Sequence, residues 1–563
     1  MRWTLQPKPE PQKVDHLSVA LGIEPLIAGL LVQRGIETFE EAKSFFRPEL
    51  SKLHDPFLMK DMEKAVSRIE QAITSNENIL VYGDYDVDGT TSVALLSSYL
   101  LSYYPNVATY IPDRYGEGYG VSYKGIDFAE DNGFTLIIAL DCGVKAVEKV
   151  AYASQKEIDF IICDHHRPGP ELPKAIAVLD PKREDCEYPY KELCGCGVGF
   201  KLIQALAHHR GQTIDDLLLY LDLVATAIGA DIVPITGENR ILAYHGLKVI
   251  NTNPRPGFEA IIKQIKKQSL TITDVVFNIA PRINAAGRMK HGNHAVTLLI
   301  ETNLEKAEVF ASEINDYNTE RRETDKIITK EALAQIEENN EEEGFTTVVY
   351  NESWHKGVIG IVASRLTETY YRPTLVFTKS GDTLAASARS VKGFDVYKAL
   401  EDCAEFIEQF GGHKYAAGLT LLEKNYDGFK KQFEKIVAES INPNLLIPEI
   451  KIDAPITFHN ITPKFFRVLS QFAPFGPGNM TPIFMSQDLL ETGNGKCVGE
   501  DKSHLRITMK QGNSSSFVGI GFGLGSKKDI ACLGQSFKAA YVIDENEWQG
   551  NVSLQLRLKD LKE

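Results

Sequence analysis

The sequence lacks the features that mark membrane proteins and disulfide-bonded secreted proteins. No apolar run in its 563 residues approaches the roughly 20 residues that span a bilayer. Residues 1–9, Met-Arg-Trp-Thr-Leu-Gln-Pro-Lys-Pro, do not contain the apolar core of a signal peptide. Eight scattered cysteines are too few for a disulfide framework in a chain of this length. We therefore expect a cytoplasmic protein with reduced thiols and no membrane contact.

Net positive charge is also absent. The 61 Lys and Arg residues are outnumbered by 76 Asp and Glu residues, so the formal net charge is −15 at pH 7, which argues against a generic nucleic-acid-binding surface. Basic residues nevertheless occur in pairs within a few segments, and we predict that they form a local positive groove. The pairs are Arg282 and Arg288, Lys356 and Arg365, Arg389 and Lys392, and His413 and Lys414.

The sequence does contain three acidic clusters, each directly after a short apolar run typical of a buried strand. The clusters are Gly83-Asp84-Tyr85-Asp86-Val87-Asp88-Gly89, Asp141-Cys142-Gly143 and Asp164-His165-His166. Because the carboxyl ends of parallel strands meet at one edge of a sheet, these side chains should converge on one crevice. Crowded carboxylates repel one another unless cations neutralise them, so we predict a metal site. Mixed Asp and His ligation suits Mn²⁺ or Mg²⁺.

The first cluster also matches the opening of an EF-hand calcium loop. The twelfth position of such a loop requires a bidentate Glu, whereas counting from Asp84 gives Leu95. Residues 90–96 instead have the composition of a buried helix that is beginning. A single Asp-rich turn would be uninformative, but three at successive strand ends favour a metal site over the calcium loop.

The order of apolar patterns predicts an α/β protein of several domains. Alternating strand and helix patterns indicate a parallel-sheet domain, a stretch without Gly or Pro indicates one long helix, and short β-rich runs indicate a barrel. We expect the helical N-terminal segment to pack onto the domain that follows it. The predicted segments are 1–75 (helical), 76–303 (parallel sheet), 304–340 (long connecting helix, from Leu304 to Glu338), 341–445 (second α/β domain) and 446–563 (β-barrel).

The three acidic clusters resemble the DHH phosphoesterases, and within that superfamily the exonucleases specific for single-stranded DNA. Four further segments match the same exonuclease pattern: residues 230–234, 281–289, 354–365 and 411–418. The resemblance covers nearly the whole chain and is weaker in the last hundred or so residues, where Pro474-Phe-Gly-Pro-Gly-Asn479 is the main landmark. It implies that the first sheet domain is a DHH domain, that the second is a DHHA1 domain and that the barrel is an OB-fold.

The resemblance also implies the reaction: 5′→3′ degradation of single-stranded DNA to 5′-mononucleotides, in recombination and repair, with two divalent metal ions. One ion would be held by Asp86, Asp141 and Asp84. The other would be held by Asp88, Asp141, His165 and Asp231, so that Asp141 bridges the two ions. Asp164 and His166 complete the catalytic candidates: one would orient His165, and the other would donate a proton to the leaving oxygen or contact the scissile phosphate. The sequence does not assign these two roles.

Asp222 competes with Asp231 for the place of the ligand in the fourth motif. Asp231 lies at the end of an apolar stretch with helical spacing, where the predicted helix ends before Pro234. It also aligns with the Ala-Asp-Val-x-Pro segment of the family. We therefore prefer Asp231.

A pocket for a terminal phosphate would set the direction of degradation. Guanidinium groups bind phosphate through two parallel hydrogen bonds, which favours arginines in the matching segments. The Gly411-Gly412 pair permits a tight turn that suits close approach of a phosphate or sugar. The candidate substrate-binding residues are Arg114, Arg282, Arg288, Ser387, Arg389 and His413.

The partners that follow are single-stranded DNA and, by the resemblance, a single-strand-binding protein and a helicase; we expect a monomer. Phe517, Phe522, Tyr541 and Trp548 in the barrel are either core residues or platforms for base stacking. Two other functions compete. A DHH enzyme for oligoribonucleotides, cyclic dinucleotides or pyrophosphate would resemble a His-x-x-Pro-Asp-x-Asp opening, which this chain lacks. An inactive scaffold would have lost metal ligands, whereas every candidate ligand is present here.

Overall fold

The computed structural model describes residues 1–265, 267–532, 534–548 and 550–563, and for Trp548 it describes the backbone alone. The N-terminal segment begins with a short strand and four helices. Proline in the first turn starts the first two helices, and Thr38 and Glu41 form a reciprocal capping box at the start of the third. These elements are β1 (Arg2–Leu5), α1 (Pro11–Leu21), α2 (Pro25–Val32), α3 (Phe39–Phe46) and α4 (Met62–Thr74).

The first domain is built on a parallel sheet whose strand order is β3-β2-β4-β5-β6. Apolar residues from both faces of the sheet enter hydrophobic cores, which explains why its strands are uninterrupted apolar runs. Its elements are β2 (Asn78–Gly83), α5 (Val87–Leu101), β3 (Val107–Tyr110), α6 (Tyr123–Asp131), β4 (Phe134–Leu140), α7 (Val147–Gln155), β5 (Asp159–Cys163) and β6 (Ala177–Leu179).

The alternation of strands and helices ends at β6, earlier than the sequence pattern predicts. The rest of the first domain is helical and packs into the same core as the sheet. A π-turn at Val275–Ile279 joins two of its helices. The helices are α8 (Gly195–His209), α9 (Leu221–Ala230), α10 (Gly237–Thr252), α11 (Pro256–Ile265), α12 (Ile272–Asp274), α13 (Ala280–Met289) and α14 (Asn293–Ile300).

The predicted long helix is confirmed as α15, Leu304–Glu338, which is 35 residues long. At 1.5 Å per residue it extends about 50 Å. Its first half contributes Ala307, Ala311 and Ile314 to the core of the first domain. Its second half contributes Ile328 and Ala332 to a core shared with the next domain. The helix therefore belongs to two domains and holds them together.

The second α/β domain contains a mixed sheet of order β10-β11-β9-β8-β7, in which β7 and β8 are parallel and the other pairs antiparallel. The sheet packs against α17 and α18 in one apolar core. Its elements are β7 (Thr347–Tyr350), α16 (Ile359–Tyr370), β8 (Thr374–Ser380), β9 (Thr383–Arg389), α17 (Val396–Glu401), β10 (Gln409–His413), β11 (Ala416–Leu422) and α18 (Tyr426–Ser440).

The C-terminal region forms the predicted barrel. Strands run in the order β14-β18-β19-β17-β16, and a further pairing of β16 with β14 closes the sheet on itself. Tyr541 and Phe517 are buried in its core, so they are not stacking platforms, whereas Phe522 is 65% exposed; the side chain of Trp548 lies outside the described part of the chain. The elements are β12 (Glu449–Ile452), β13 (Ala454–Pro455), α19 (Pro463–Ser470), β14 (Phe484–Glu491), β15 (Lys496–Val498), β16 (His504–Gln511), β17 (Phe517–Gly521), α20 (Lys528–Cys532), β18 (Phe537–Trp548) and β19 (Asn551–Lys562).

The N-terminal segment packs mainly onto this barrel, and the expectation that it packs onto the following domain is wrong for β1 to α3. Strand β1 pairs in parallel with β12. Leu17 and Leu30 share a core with Phe465 and Phe472 of the C-terminal region. Helix α4 packs into the core of the first domain, and Leu50 and Leu53 pack against that core. Helix α3 contacts the first domain through the carbonyl of Phe45, which accepts the Arg240 side chain at 2.9 Å. Among the described helices, none is long and apolar enough by itself to cross a membrane; α1 and α2 pass that test only together, as a pair bent by 118°.

Candidate metal centre

The three acidic clusters lie at the carboxyl ends of neighbouring strands, as the sequence predicts. Gly83, Leu140 and Cys163 end strands β2, β4 and β5 and stand side by side in register. Asp84, Asp141 and Asp164 are the next residues along each strand, so their backbones meet at one edge of the sheet. Asp84, Asp141 and Asp164 are all buried.

His165 is at the centre of the cluster. Its Nε2 atom lies 3.2 Å from Asp141 Oδ1, 3.6 Å from Asp231 Oδ2 and 3.8 Å from Asp88 Oδ2. Two groups have ligand atoms that all lie within 4.8 Å of one another: Asp141 with His165 and His166, and Asp88 with His165 and Asp231. His165 is common to both groups. Bridging by Asp141 stays a prediction.

Asp84 and Asp86 belong to neither group. Asp86 caps α5, because its Oδ1 accepts the amide of Gly89 at 3.0 Å. Asp84 is buried, and its Oδ1 accepts the amide of Gly120 at 3.4 Å. Burial, followed by the neighbouring charge of Asp86, raises the pKa of Asp84 well above its ordinary value.

Sequence reasoning missed what holds Asp88. Its two oxygens accept the amides of Gly195 and Cys196, each at 2.7 Å, at the first turn of α8. A helix N-terminus stabilises a carboxylate through its free amides and its dipole. A Cβ atom on Gly195 would lie 2.5 Å from Asp141 Oδ1, so only glycine fits there. The run of small residues at 195–199 was the available signal.

Several buried polar atoms of the cluster have no hydrogen-bond partner among the residues that the structure describes. They are Asp84 Oδ2, Asp141 Oδ1 and both ring nitrogens of His165. Buried polar atoms in folded proteins are nearly always hydrogen-bonded, and each exception requires an explanation. Divalent cations would satisfy the two carboxylate oxygens and the one ring nitrogen of neutral His165 that has a lone pair; the other ring nitrogen carries the proton. The donor set of carboxylates with imidazole suits Mn²⁺ or Mg²⁺. The residues present therefore fit a metal site.

The electrostatics support the same conclusion. Burial, followed by repulsion from Asp86, raises the pKa of Asp88 to about 7. Burial, followed by repulsion from Asp88, raises the pKa of Asp231 to about 8. Burial lowers the pKa of His165 to about 3, so its imidazole is neutral and has a free lone pair. The raised pKa values show that these carboxyl groups cannot all be ionised so close together unless cations neutralise them.

Asp164 orients His166, and not His165. Its Oδ1 lies 2.8 Å from His166 Nδ1, and Asp164 also accepts the amides of Val144 at 2.9 Å and His165 at 2.8 Å. Burial alone would raise the pKa of Asp164, but these hydrogen bonds outweigh it and hold the pKa at about 2. The other ring nitrogen of His166 is 3.4 Å from the Tyr119 hydroxyl, on the open side of the cluster.

The geometry favours Asp231 over Asp222 as the fourth-motif ligand. Asp231 follows the last residue of α9 and lies beside His165. Asp222, one helix length away, is fully buried and forms an ion pair of 2.8 Å with Arg255. It also accepts the amide of Leu223. The carboxylate of Asp222 is therefore occupied in holding the fold.

Three of the predicted phosphate-binding arginines lie near one another. Burial, followed by the charges of Arg114, Arg389 and Arg321, lowers the pKa of Arg288 to about 9. Burial, followed by Arg114, lowers the pKa of Arg389. In the described part of the chain, Arg114, Arg288 and Arg389 form no ion pair with a carboxylate. Partly buried cations that lack a carboxylate partner suit the binding of an anion. Arg321 is an additional member of the group.

The three remaining candidate substrate-binding residues do not lie together. Ser387 belongs to the arginine group, because its hydroxyl accepts Arg389 Nη1 at 3.0 Å. Arg282 points elsewhere: its guanidinium donates to Asn315 at 3.2 Å and to the carbonyl of Asn278 at 2.6 Å. His413 belongs to the second α/β domain, yet its pKa is lowered by burial and then by the charge of His166. The two domains are in contact beside the arginine group, where Arg288 Nη1 donates to the carbonyl of Gly357 at 3.1 Å.

Comparisons with known protein families agree with this architecture. Three family models match in order along the chain: the DHH family, N-terminal domain, over residues 78–228, the DHHA1 domain over 343–439, and the RecJ OB domain over 452–560.

Full-length relatives are also found. The single-stranded-DNA-specific exonuclease RecJ of Bacillus subtilis is 36% identical over 100% of this chain and 70% of its own length. RecJ of Salmonella typhimurium is 34% identical over 96% of each chain. The crystal structure of RecJ from Thermus thermophilus in complex with Mn²⁺ superposes with a TM-score of 0.86 at 26% identity, covering 100% of this chain and 79% of that one.

Proposed function

Because this chain belongs to the RecJ family of DHH phosphoesterases, we propose that it is a metal-dependent exonuclease that degrades single-stranded DNA from the 5′ end and releases 5′-mononucleotides. The observation that carries the proposal is the pair of carboxylate–histidine groups that share His165 at the ends of β4 and β5. Relatives named RecJ are single-strand-specific exonucleases, and solved RecJ structures contain Mn²⁺ or Mg²⁺.

Two divalent ions would be held by the buried cluster. Asp88, His165 and Asp231 would hold one ion, and Asp141 would contribute to both, with Asp86 and Asp84 completing the other site. Two ions close together lower the pKa of a water that they bind and neutralise charge on the phosphoryl oxygens. The orphaned atoms of Asp84, Asp141 and His165 support this assignment, because no described residue forms a hydrogen bond with them.

Asp164 and His166 would act on the substrate as a pair. The hydrogen bond from His166 Nδ1 to Asp164 fixes the ring, so that Nε2 faces the open side of the cluster beside Tyr119. From there the imidazole can contact the scissile phosphate or donate a proton to the leaving oxygen. Asp164 is then a positioning residue for His166.

The arginine group would bind the 5′-terminal phosphate and so set the direction of degradation. Arg114, Arg288 and Arg389, with Ser387, provide donors without any competing carboxylate in the described residues. Arg114 lies 4.6 Å from the ring centre of Tyr85, which is between two aspartates of the first cluster. A terminal phosphate in this group would therefore be held close to the metal cluster.

Selectivity for single strands would arise from the cleft between the two α/β domains. Helix α15 ties the domains together, and Arg288 of the first domain donates to the carbonyl of Gly357 in the second. A barrel of this kind binds single strands through contacts with the charged DNA backbone and through stacking of the bases, without recognising their sequence. We further propose a cytoplasmic monomer that acts in recombination and repair beside a single-strand-binding protein and a helicase.

The test uses 3′-labelled, 5′-phosphorylated single-stranded DNA, the same strand in a duplex, and a short oligoribonucleotide, each with Mn²⁺ or EDTA. Progressive shortening of the single strand from its 5′ end, with mononucleotide release that EDTA blocks, is the expected result. Hydrolysis of the oligoribonucleotide alone would instead identify a small-substrate enzyme. Mn²⁺ binding without turnover of any substrate would identify a scaffold.

A further inference from the structure

The segment that follows Asp231 is held only in part by its own domain. Val233 and Ile235 are buried in the core of that domain, and the Tyr190 hydroxyl lies 3.3 Å from the carbonyl of Pro234 and 3.1 Å from Thr236 Oγ1. Within the described residues, no hydrogen bond reaches the Asp231 carboxylate, whose side chain is 30% exposed. The next residue, Ile232, has φ of 61° and is 66% exposed, a conformation that is unfavourable for a β-branched residue. The carbonyl of Pro234 accepts the Asn239 side chain at 3.1 Å. The position of Asp231 therefore depends on what packs against residues 232–236.

A glycine-rich loop of the C-terminal region packs there. The loop, Pro-Phe-Gly-Pro-Gly-Asn at 474–479, accepts the amide of Ile235 on the carbonyl of Pro477 at 2.7 Å. A Cβ atom on Gly476 would lie 2.5 Å from Ile235 Cγ1, and one on Gly478 would lie 2.9 Å from Thr236 Cγ2. The 474–479 loop is therefore in direct contact with the residues that follow Asp231, and its glycines permit that closeness.

Arg240 of α10 fixes the same loop to the first domain. Its guanidinium, 5% exposed, donates to the carbonyls of Phe472 at 2.9 Å, Ala473 at 3.0 Å and Pro474 at 3.3 Å. It also donates to the carbonyl of Phe45 and lies 3.7 Å from that ring. One arginine therefore joins the first domain, the C-terminal region and α3.

We propose that the 474–479 loop, anchored by Arg240, is a positioning element for Asp231, so that the C-terminal region helps to build the metal site of the first domain. The inference rests on the proposed function, in which Asp231 is a ligand. A metal ligand must be held within about 0.5 Å of its productive position. Because no hydrogen bond reaches the Asp231 carboxylate in the described chain, its backbone must provide that precision. The loop restrains that backbone together with the core of the first domain.

The test is a steric one with a matched control. Gly476→Ala places a methyl group 2.5 Å from Ile235, whereas Gly428→Ala places one 2.6 Å from Phe406 in the second α/β domain. Neither glycine has a positive φ, so each change adds steric pressure without backbone strain. Titration of the metal-free protein with Mn²⁺ gives the Kd, and turnover of single-stranded DNA gives kcat and KM. We expect Gly476→Ala to weaken Mn²⁺ binding roughly tenfold and to lower kcat more than KM changes, as for other outer-shell changes.

A second pair covers the case in which Gly476→Ala does not fold. Arg240→Met removes the donors to the loop, and Arg372→Met removes a buried guanidinium that likewise donates to three carbonyls, those of Glu341, Glu342 and Gly344. Weaker Mn²⁺ binding in Arg240→Met but not in Arg372→Met supports the inference. Wild-type Mn²⁺ binding in Arg240→Met, or equal weakening in both variants, overturns it.

Asp231→Asn separates the inference from the function on which it rests. If Asp231→Asn leaves Mn²⁺ binding unchanged, the ligand assignment is wrong and the inference fails with it. If Asp231→Asn weakens binding while the loop variants bind like the wild type, the ligand assignment stands and the inference alone is refuted.

Discussion

The arginine group gives the sharpest prediction, through Arg389→Met. The substitution keeps the apolar stem of the side chain and removes a partly buried guanidinium that has Ser387 as a partner but no carboxylate in the described residues. If this group binds the terminal phosphate, the loss falls only on substrates that carry one. A strand with a 5′-hydroxyl has nothing for the guanidinium to bind and should be degraded almost as before.

The magnitude follows from the interaction that is removed. A hydrogen bond to a charged group contributes about 1.5–3 kcal/mol. At 1.4 kcal/mol for each factor of ten, the preference for 5′-phosphate over 5′-hydroxyl strands should fall roughly 10- to 150-fold. The assay measures kcat/KM for two 3′-labelled strands that differ only in the 5′ group.

Protein stability provides an independent readout of the same variant. Burial and the charge of Arg114 lower the pKa of Arg389, so the cation is disfavoured in the folded protein. Removing it should leave the Tm in phosphate-free buffer unchanged or higher. Arg282→Met is the control, because Arg282 points toward Asn315 and should not change the preference. Equal losses on both substrates in Arg389→Met would refute the assignment of the phosphate pocket.

Three further predictions concern the metal cluster. Asp231→Ala should abolish hydrolysis and leave the fold intact, whereas Asp222→Ala leaves a buried arginine unpaired and should lower the free energy of unfolding by about 3–5 kcal/mol. Measurements of turnover and of thermal unfolding distinguish the two variants. An Asp222→Ala variant that is inactive but fully stable would show that Asp222, and not Asp231, is the ligand. The folded-state pKa values of Asp88 and Asp231 are about 7 and about 8, above the ordinary 3.8. Between about pH 4 and 8 the metal-free folded state therefore binds more protons than the unfolded state, so its stability should fall as the pH rises. A series of Tm measurements against pH should show this fall without metal and lose it in excess Mn²⁺. Gly195→Ala should weaken Mn²⁺ binding roughly tenfold or more, measured by calorimetry, because its Cβ would displace Asp141; wild-type affinity would contradict the close approach.

The features that could be predicted from the sequence are those carried by local patterns. The bounds of α15 were predictable because no Gly or Pro interrupts it and apolar residues recur at helical spacing. The convergence of Asp84, Asp141 and Asp164 followed from uninterrupted apolar runs that could only be buried parallel strands. The barrel followed from short β-rich runs, although its closure depends on pairing of β14 with β16, which no local pattern shows.

The features that were missed depend on contacts between distant segments or on the face of a helix. Arg282 and Arg288 are six residues apart, which on an α-helix is a rotation of about 240°, so they cannot both face one pocket. The amides of Gly195 and Cys196 bind Asp88 from more than a hundred residues away along the chain. Backbone donors of this kind leave no residue type to recognise in the sequence.

The pairing of β1 with β12 has a consequence for how the protein is made. Residues 2–5 find their strand partner only when residues 449–452 have been synthesised, which at about 5–20 residues per second is a delay of roughly 20 to 90 s. During that time Leu17, Leu30 and Leu31, which are buried in the finished protein, have no core to enter. The elements β1 to α3 therefore leave the ribosome long before the region that they pack against, and until that region is made a chaperone would need to shield their apolar side chains.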